Sequence, residues 1–304
     1  MSYLSVTSLS KSYGKITALS DFSLTVNKGE IFALVGPDGA GKTTLIRLLC
    51  RLISEDAGEV TVGGLDIKRD FEQIKSLLGY MPQVFSLYPD LSVEENLTFY
   101  AGIYGLTGQA YRQKRDYLFE FSKLGPFAGR RASALSGGMK QKLALSCALI
   151  HDPKILILDE PTTGVDPLSR RQFWEILLEL RRQGTTILVS TPYMDEVARA
   201  DRACFIFNGR KLSEGTPVAL AAQFEGSIYY LDELPTTELV HRLNSLEGIT
   251  ARRFGAGMHI YVKPGESIER YHAALSSVGV AGTRLLTIQP QLEDRFIQLM
   301  EMVS

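Results

Sequence analysis

Apolar and polar residues alternate from Leu4 to Leu9 and again from Phe22 to Val26, which predicts antiparallel strands with one buried face. Ile31-Phe32-Ala33-Leu34-Val35 departs from that pattern: it is continuously apolar and ends at Gly36. From Thr44 to Leu49 the apolar positions recur at helical spacing, so a buried strand, a glycine-rich turn and a helix follow one another here. Val60 to Val62 lies between turn residues, and Leu77 to Gln83 is a second short strand stopped by Pro82. From Ser92 the period becomes helical, with Val93, Leu97, Tyr100 and Ala101 on one face, Ser92 as N-cap and Glu95 in the capping-box position. Tyr111 to Leu124 continues a helix-rich insert that breaks at Gly125-Pro126, and Lys140 to Ile150 is a further helix ended by Pro153.

Lys154 to Pro161 is a continuous apolar run closing on Asp159 and Glu160, and Thr186 to Thr191 is a second such strand. Strands buried on both faces belong to parallel sheets covered by helices. Leu168 to Arg182 is amphipathic with Gly184 just beyond its end, Met194 to Ala200 is a short helix, and Ala203 to Leu212 reads as a hairpin about Asn208-Gly209. A short helix from Pro217 to Gln223 closes a first domain, residues 1–223, whose helical subdomain covers about 84–150. The remainder, 224–304, has another organisation: strand Ser227 to Leu231, helix Thr237 to Leu246, a hairpin Ile249 to Phe254 with Met258 to Val262, helix Ser267 to Val278, strand Thr283 to Ile288 and helix Leu292 to Met302. That β-α-β-β-α-β order predicts a small α+β, ferredoxin-like module.

With 304 residues the chain has room for about two domains, and its net charge of −1 offers no overall basic surface for nucleic acid, so no nucleic-acid partner is expected. Cys50, Cys147 and Cys204 stand apart in apolar settings, as reduced core residues of a cytoplasmic protein do. The start, Met1 to Val6, has no basic segment leading into an apolar one, and no apolar run approaches the roughly 18 residues of a membrane span. A membrane role would therefore require docking on a separate membrane protein.

The candidate chemistry centres on Gly36-Pro37-Asp38-Gly39-Ala40-Gly41-Lys42-Thr43-Thr44, a complete P-loop in its proper strand-to-helix context. Its glycines let successive backbone N–H groups converge on phosphate oxygens at a helix N-terminus; Lys42 reaches the β- and γ-phosphates of a nucleotide, and the Thr43 hydroxyl is placed to hold Mg²⁺. A P-loop alone leaves kinases, GTPases and helicases open. Asp159-Glu160, ending a buried strand, suits a metal-orienting carboxylate followed by a general base. Gln83 ends its strand with an amide that both donates and accepts. Tyr13, just before Gly14 in a turn, reads in isolation as a core or surface aromatic. His151, His241 and His272 have no partners at metal-ligand spacing and read as structural or exposed.

Taken in order, these motifs resemble the ATP-binding-cassette (ABC) transporter ATPases, over roughly Leu4 to Gln223. Leu135-Ser136-Gly137-Gly138-Met139-Lys140-Gln141 is close to the family signature LSGGQ, with Met for Gln; Ile155 to Asp159 matches the Walker B strand; Gly164-Val165-Asp166 stands at the D-loop and Gln83 at the Q-loop. The resemblance implies a P-loop ABC domain with a mixed sheet core, an antiparallel β subdomain and a helical subdomain. It implies that Gln83 senses the metal and the attacking water through its amide, that Tyr13 stacks on adenine, and that Ser136, Gly137 and Gly138 cover the ATP held by the P-loop of a second ATPase domain in a head-to-tail dimer. It also implies a groove beside Gln83 that receives a short helix of a separate transmembrane permease, which puts the chain at the inner face of the cell membrane. The tail around Gln289 to Ile297 resembles that of bacterial ATPases serving an export-type permease.

Two positions depart from the family. The family carries a γ-phosphate histidine after this strand; here Ser190-Thr191-Pro192-Tyr193 puts Pro192 in its place, without a donor or acceptor. Asp38 stands where Asn is usual, and a charge about 6 Å from a phosphate oxygen costs roughly 3 kcal/mol at an effective dielectric of about 20. The expected function is the ATPase subunit of an exporter, its own site slowed by Pro192 and its partner a non-identical ATPase domain, with a homodimer left open. The alternatives are a soluble ABC-type mechanical ATPase acting on ribosomes or DNA, whose usual second cassette or long coiled-coil insertion is missing here, and a regulatory subunit with negligible turnover.

Overall fold

A computed structural model describes residues 2–280 and 284–303; Thr283, where the last predicted strand begins, lies outside the described residues, as do Met1 and Ser304. The chain forms two compact units, Met1–Pro217 and Val218–Ser304. In the first, β1 (Ser2–Tyr13) and β2 (Ile16–Asn27) pair antiparallel around the Gly14-Lys15 turn. Both outrun the alternation seen in sequence because register shifts, with Ser8 and Asp21 at φ 48°, reset which residues face inward. Then come β3 (Ile31–Val35), α1 (Lys42–Leu49), β4 (Ala57–Val62), β5 (Leu65–Asp66), α2 (Phe71–Leu77) and β6 (Leu78–Met81). β5 and α2 were not expected: β5 is two residues long and α2 buries only Ile74, too little to give a period.

The helical insert holds α3 (Val93–Ile103), α4 (Gly108–Ser122) and α5 (Gly137–Ala148). Ser92 and Glu95 form the expected capping box: Glu95 N donates to Ser92 Oγ at 3.1 Å and Ser92 N donates to Glu95 Oε2 at 2.7 Å. α5 starts at Gly137, earlier than its apolar period shows, because Ser136 caps it. The unit closes with β7 (Ile155–Asp159), α6 (Pro167–Arg182), β8 (Thr186–Thr191), α7 (Met194–Val197), β9 (Arg202–Phe207) and β10 (Arg210–Gly215).

These strands make a four-stranded antiparallel sheet ordered β2-β1-β4-β5 and a six-stranded mixed sheet ordered β10-β9-β3-β8-β7-β6. In the mixed sheet only β10 runs antiparallel to its neighbour. One apolar cluster joins Leu4, Phe22 and Leu24 of the first sheet to Leu45 and Ile46 of α1 and to Phe32, Ile157 and Leu188 of the second. Each such side chain contributes about 1.5–3 kcal/mol by burial, which seats α1 firmly. Since β3, β8, β7 and β6 are parallel, the segments leaving their C-terminal ends emerge at one edge.

The second unit contains α8 (Pro217–Ala222), which begins at the division between the units, then β11 (Ser227–Leu231), α9 (Thr237–Asn244), β12 (Ile249–Phe254) and β13 (Gly257–Val262). α10 (His272–Ser277), β14 (Leu285–Ile288) and α11 (Leu292–Val303) complete it. The helix predicted from Ser267 is a 3₁₀ turn, Ile268–Tyr271, running into α10, and it still buries Ile268, Tyr271 and Leu275. The sheet order is β12-β13-β11-β14, every neighbouring pair antiparallel. Along β13, Met258, Ile260 and Val262 join the apolar core with Leu239, Leu243 and Leu275. The intervening His259 and Tyr261 bond the buried Asp294 of α11, at 2.8 and 2.7 Å.

Candidate functional site

The P-loop backbone is possible only with glycine at its closest approaches. A Cβ on Gly36 would stand 2.3 Å from the Ile206 carbonyl oxygen, and one on Gly41, at φ 107°, would stand 2.6 Å from that of Ala18. Gly41 precedes α1 with no side-chain cap and no acidic residue in the first turn, so the leading N–H groups of this helix keep their capacity for an anion. Lys42 is buried, and its ammonium donates to the carbonyls of Gly36 at 2.8 Å and Pro37 at 3.0 Å while pairing with Glu160 Oε1 at 3.1 Å.

Across the sheet edge the expected residues come together. Thr43 Oγ1 donates to Asp159 Oδ1 at 3.3 Å, and Gln83 Nε2 donates to Glu160 Oε2 at 3.0 Å. A cleft of about 550 Å³ is lined by Asp38, Gly39, Gly41, Lys42, Thr43, Thr44, Gln83 and Glu160. Burial pushes the Asp159 carboxyl above the usual carboxylate range, with the neighbouring charge of Glu160 adding to it against the hydroxyls of Ser190 and Thr43. Asp38 is exposed, so solvent screens much of its charge. Ala40 is buried beneath the loop and outside the cleft lining.

Glu160 stands at φ 46°, a left-handed conformation that costs a non-glycine residue on the order of 1–3 kcal/mol. Ser190, opposite Asp159 in the parallel register, bridges this turn: its hydroxyl donates to Asp159 Oδ1 at 2.8 Å and accepts from Glu160 N at 2.9 Å. Sequence reasoning missed Ser190, although a serine closing an apolar strand next to the carboxylate strand was a usable signal. It also missed Thr163, which donates to Glu160 Oε2 at 3.1 Å, and Ile16, Thr17, Ala18 and Asn208, which line the cleft.

Three groups stand apart from the cleft. Tyr13 is 46% exposed beneath the Lys11 ammonium and does not line it, whereas the nearby Ile16 does. Ser136 and Gly137 are exposed at the start of α5, where Ser136 Oγ accepts from Met139 N at 3.4 Å. Gly138 is buried, and a Cβ there would meet Ser169 Oγ at 2.5 Å. Neither Pro192 nor Tyr193 lines the cleft, and the Tyr193 ring lies under the Arg170 guanidinium at 3.9 Å. The three cysteines are free and buried, their thiols pushed up by desolvation. No group of metal-ligating side chains of the His/Cys type occurs among the described residues.

Comparison with known proteins bears on this geometry. The family model described as ABC transporter matches residues 19–163. The "Probable multidrug ABC transporter ATP-binding protein YbhF" of Escherichia coli K12 is 46% identical over 214 residues, which are 70% of this chain but only 37% of that protein's length. The Nod factor export ATP-binding protein I of Rhizobium etli is 36% identical over 98% of this chain and 93% of its own. Among solved structures, the ATP-binding cassette MJ0796, a dimeric post-hydrolysis state bound to ADP and Pi, aligns with a TM-score of 0.64 at 25% identity, covering 70% of this chain and 98% of that one.

Proposed function

This chain belongs to the ABC transporter ATP-binding proteins, ATPases coupled to transport, and we propose that it is the ATP-binding and ATP-hydrolysing subunit of an exporter whose permease is a separate chain. The observation that carries the reading is the convergence of Lys42, Thr43, Gln83, Asp159 and Glu160 within hydrogen-bond reach at one sheet edge. Lys42 and the uncapped N–H groups of α1 bind the phosphates, with Gly39, Ala40, Gly41 and Thr44 shaping the loop. Thr43 Oγ1 and Asp159 Oδ1 are hard oxygen donors that fit Mg²⁺, and Gln83 stands beside them. Mg²⁺ held there would neutralise charge developing on the transferring phosphoryl group. Glu160 accepts the proton of the attacking water, which Gln83 orients. Tyr13 offers its exposed ring to adenine, and Pro192 leaves the γ-phosphate without one polar contact.

Ser136, Gly137 and Gly138 are not among the residues lining the chain's own cleft, which supports their service to a second ATPase domain. The relatives named for multidrug and Nod factor export support an export role. The export reading puts the chain at the inner face of the cell membrane through its partner; among the described residues no helix is long and apolar enough to cross a membrane. A groove of about 740 Å³ beside the Gln83 segment fits a short permease helix; Leu52 and Ile103, 58% and 61% exposed, line it together with Tyr80, Tyr100 and Tyr104. The double variant Leu52→Glu with Ile103→Glu should no longer co-purify with a membrane protein from detergent-solubilised membranes, while its calorimetric affinity for Mg-ATP stays that of wild type. Retained co-purification would remove the groove from the account.

We place the domain boundary at 223/224, close to where the two compact units divide. The strand order β12-β13-β11-β14, with α9 and α10 as the intervening helices, favours a ferredoxin-like second domain. A chain truncated after Gln223 should remain soluble and bind ATP, since each unit has its own apolar core. An insoluble or non-binding product would place the boundary elsewhere.

A further inference from the structure

A left-handed glutamate persists only where its surroundings over-determine it, and two contacts do so around Glu160. Ser190 Oγ accepts from Glu160 N at 2.9 Å. On the other side, Thr162 Oγ1 donates to Glu196 Oε1 at 2.6 Å. Only Pro161 separates Thr162 from Glu160, and its fixed φ passes any shift of Thr162 on to the glutamate. Glu196 is 2% exposed, and its carboxylate accepts two further hydrogen bonds, from the buried Thr191 Oγ1 to Oε2 at 2.6 Å and from Nε of the part-buried Arg170 to Oε1 at 3.2 Å. Charge-assisted bonds of this kind are the strong ones. Arg170 in turn holds both oxygens of Asp195 at 3.0 Å and covers the Tyr193 ring. One carboxylate thus ties three elements together: the turn after β7, the end of β8 and helix α6.

We infer that Glu196 is a positioning residue for Glu160, acting through Thr162, and that it also bolts the Pro192 segment to α6; the first part rests on the reading of Glu160 as general base. Glu196 lies outside the lining of the cleft and contributes by holding the Glu160 carboxylate where Thr163 and Gln83 meet it. Misplacing a catalytic group by about 1 Å costs on the order of a hundredfold in rate.

The test uses the full chain and its Glu196→Ala and Glu196→Gln variants, read in three ways: amide hydrogen exchange, single-turnover hydrolysis of Mg-ATP, and calorimetric affinity for Mg-ADP. In Glu196→Ala, exchange should quicken in the segments 160–165 and 191–197 alone and single-turnover rate should fall about tenfold to a hundredfold, with Mg-ADP affinity within about twofold because the P-loop is untouched. Glu196→Gln, which keeps one acceptor for Thr162, should recover most of the rate and protection. Exchange that rises throughout the first unit together with weakened Mg-ADP binding would make Glu196 a general structural residue and overturn the inference. So would an unchanged rate with unchanged exchange. Glu160→Gln in the same hydrolysis assay checks the underlying reading separately: if it turns over like wild type, Glu160 is not the base, and the localised exchange alone then decides whether Glu196 holds the turn.

Discussion

Lys42→Ala lowers the affinity of the full chain for Mg-ATP by at least about a hundredfold in a calorimetric titration. The ammonium is the one cation among the residues lining the cleft, and it sits between the P-loop carbonyls and Glu160 with three acceptors around it. Hydrogen bonds to charged groups contribute about 1.5–3 kcal/mol each, so the loss of contacts to the β- and γ-phosphates exceeds about 2.8 kcal/mol, or two decades of affinity. A second effect runs in the same direction. Removing Lys42 leaves Glu160, 5% exposed, as a buried carboxylate without its cation, facing the place where phosphate charge must enter. Thermal unfolding of the variant verifies that the titration reads a folded protein. Affinity equal to wild type would mean that the nucleotide binds elsewhere.

Where backbone geometry dictates residue type, the site was legible. Gly36 and Gly41 are required by close carbonyl approaches, Lys42 and Thr43 follow from their place at the start of the helix behind the glycine-rich loop, and Asp159 and Glu160 from the end of an apolar strand, so each could be named from its neighbours in sequence. The capping box at Ser92 was legible for the same local reason. What escaped depends on register and tertiary approach. Ser190 matters because parallel pairing sets it opposite Asp159, and Asn208 because the β9–β10 turn folds back to the P-loop, where Gly209 N donates to Ala40 O at 2.9 Å. The left-handed backbone of Glu160 carries no sequence signal, since glutamate rarely adopts it. Tyr13 marks the opposite case: its resemblance to the family's adenine platform is clear in sequence, while the ring stands outside the cleft lining.

Pro192→His should raise the ATP turnover of the purified chain by about a hundredfold. A single polar contact to a transferring group is worth on the order of 3 kcal/mol of barrier, and proline at that place supplies none. Tyr193 does not substitute for it, because its ring is stacked under Arg170 and its backbone N–H donates to Thr191 Oγ1 at 3.1 Å. The signature on the same chain has no such defect. Gly137 is exposed, with only the Gly164 carbonyl oxygen within 4 Å of a Cβ built there, at 3.9 Å, so Gly137→Asp should leave this chain folded and, on the proposed head-to-tail pairing, set a carboxylate against the partner's ATP. It should therefore suppress hydrolysis by a mixed dimer whose partner carries its own histidine. The proposed asymmetry, a slow ATP site on this chain with a sound signature lent to another, is tested most directly by phosphate release from Mg-ATP by the purified wild-type chain beside its Pro192→His variant. Slow release by wild type with a gain of about a hundredfold in the variant is the predicted result; equal rates would contradict the claim and make Pro192 an ordinary loop residue.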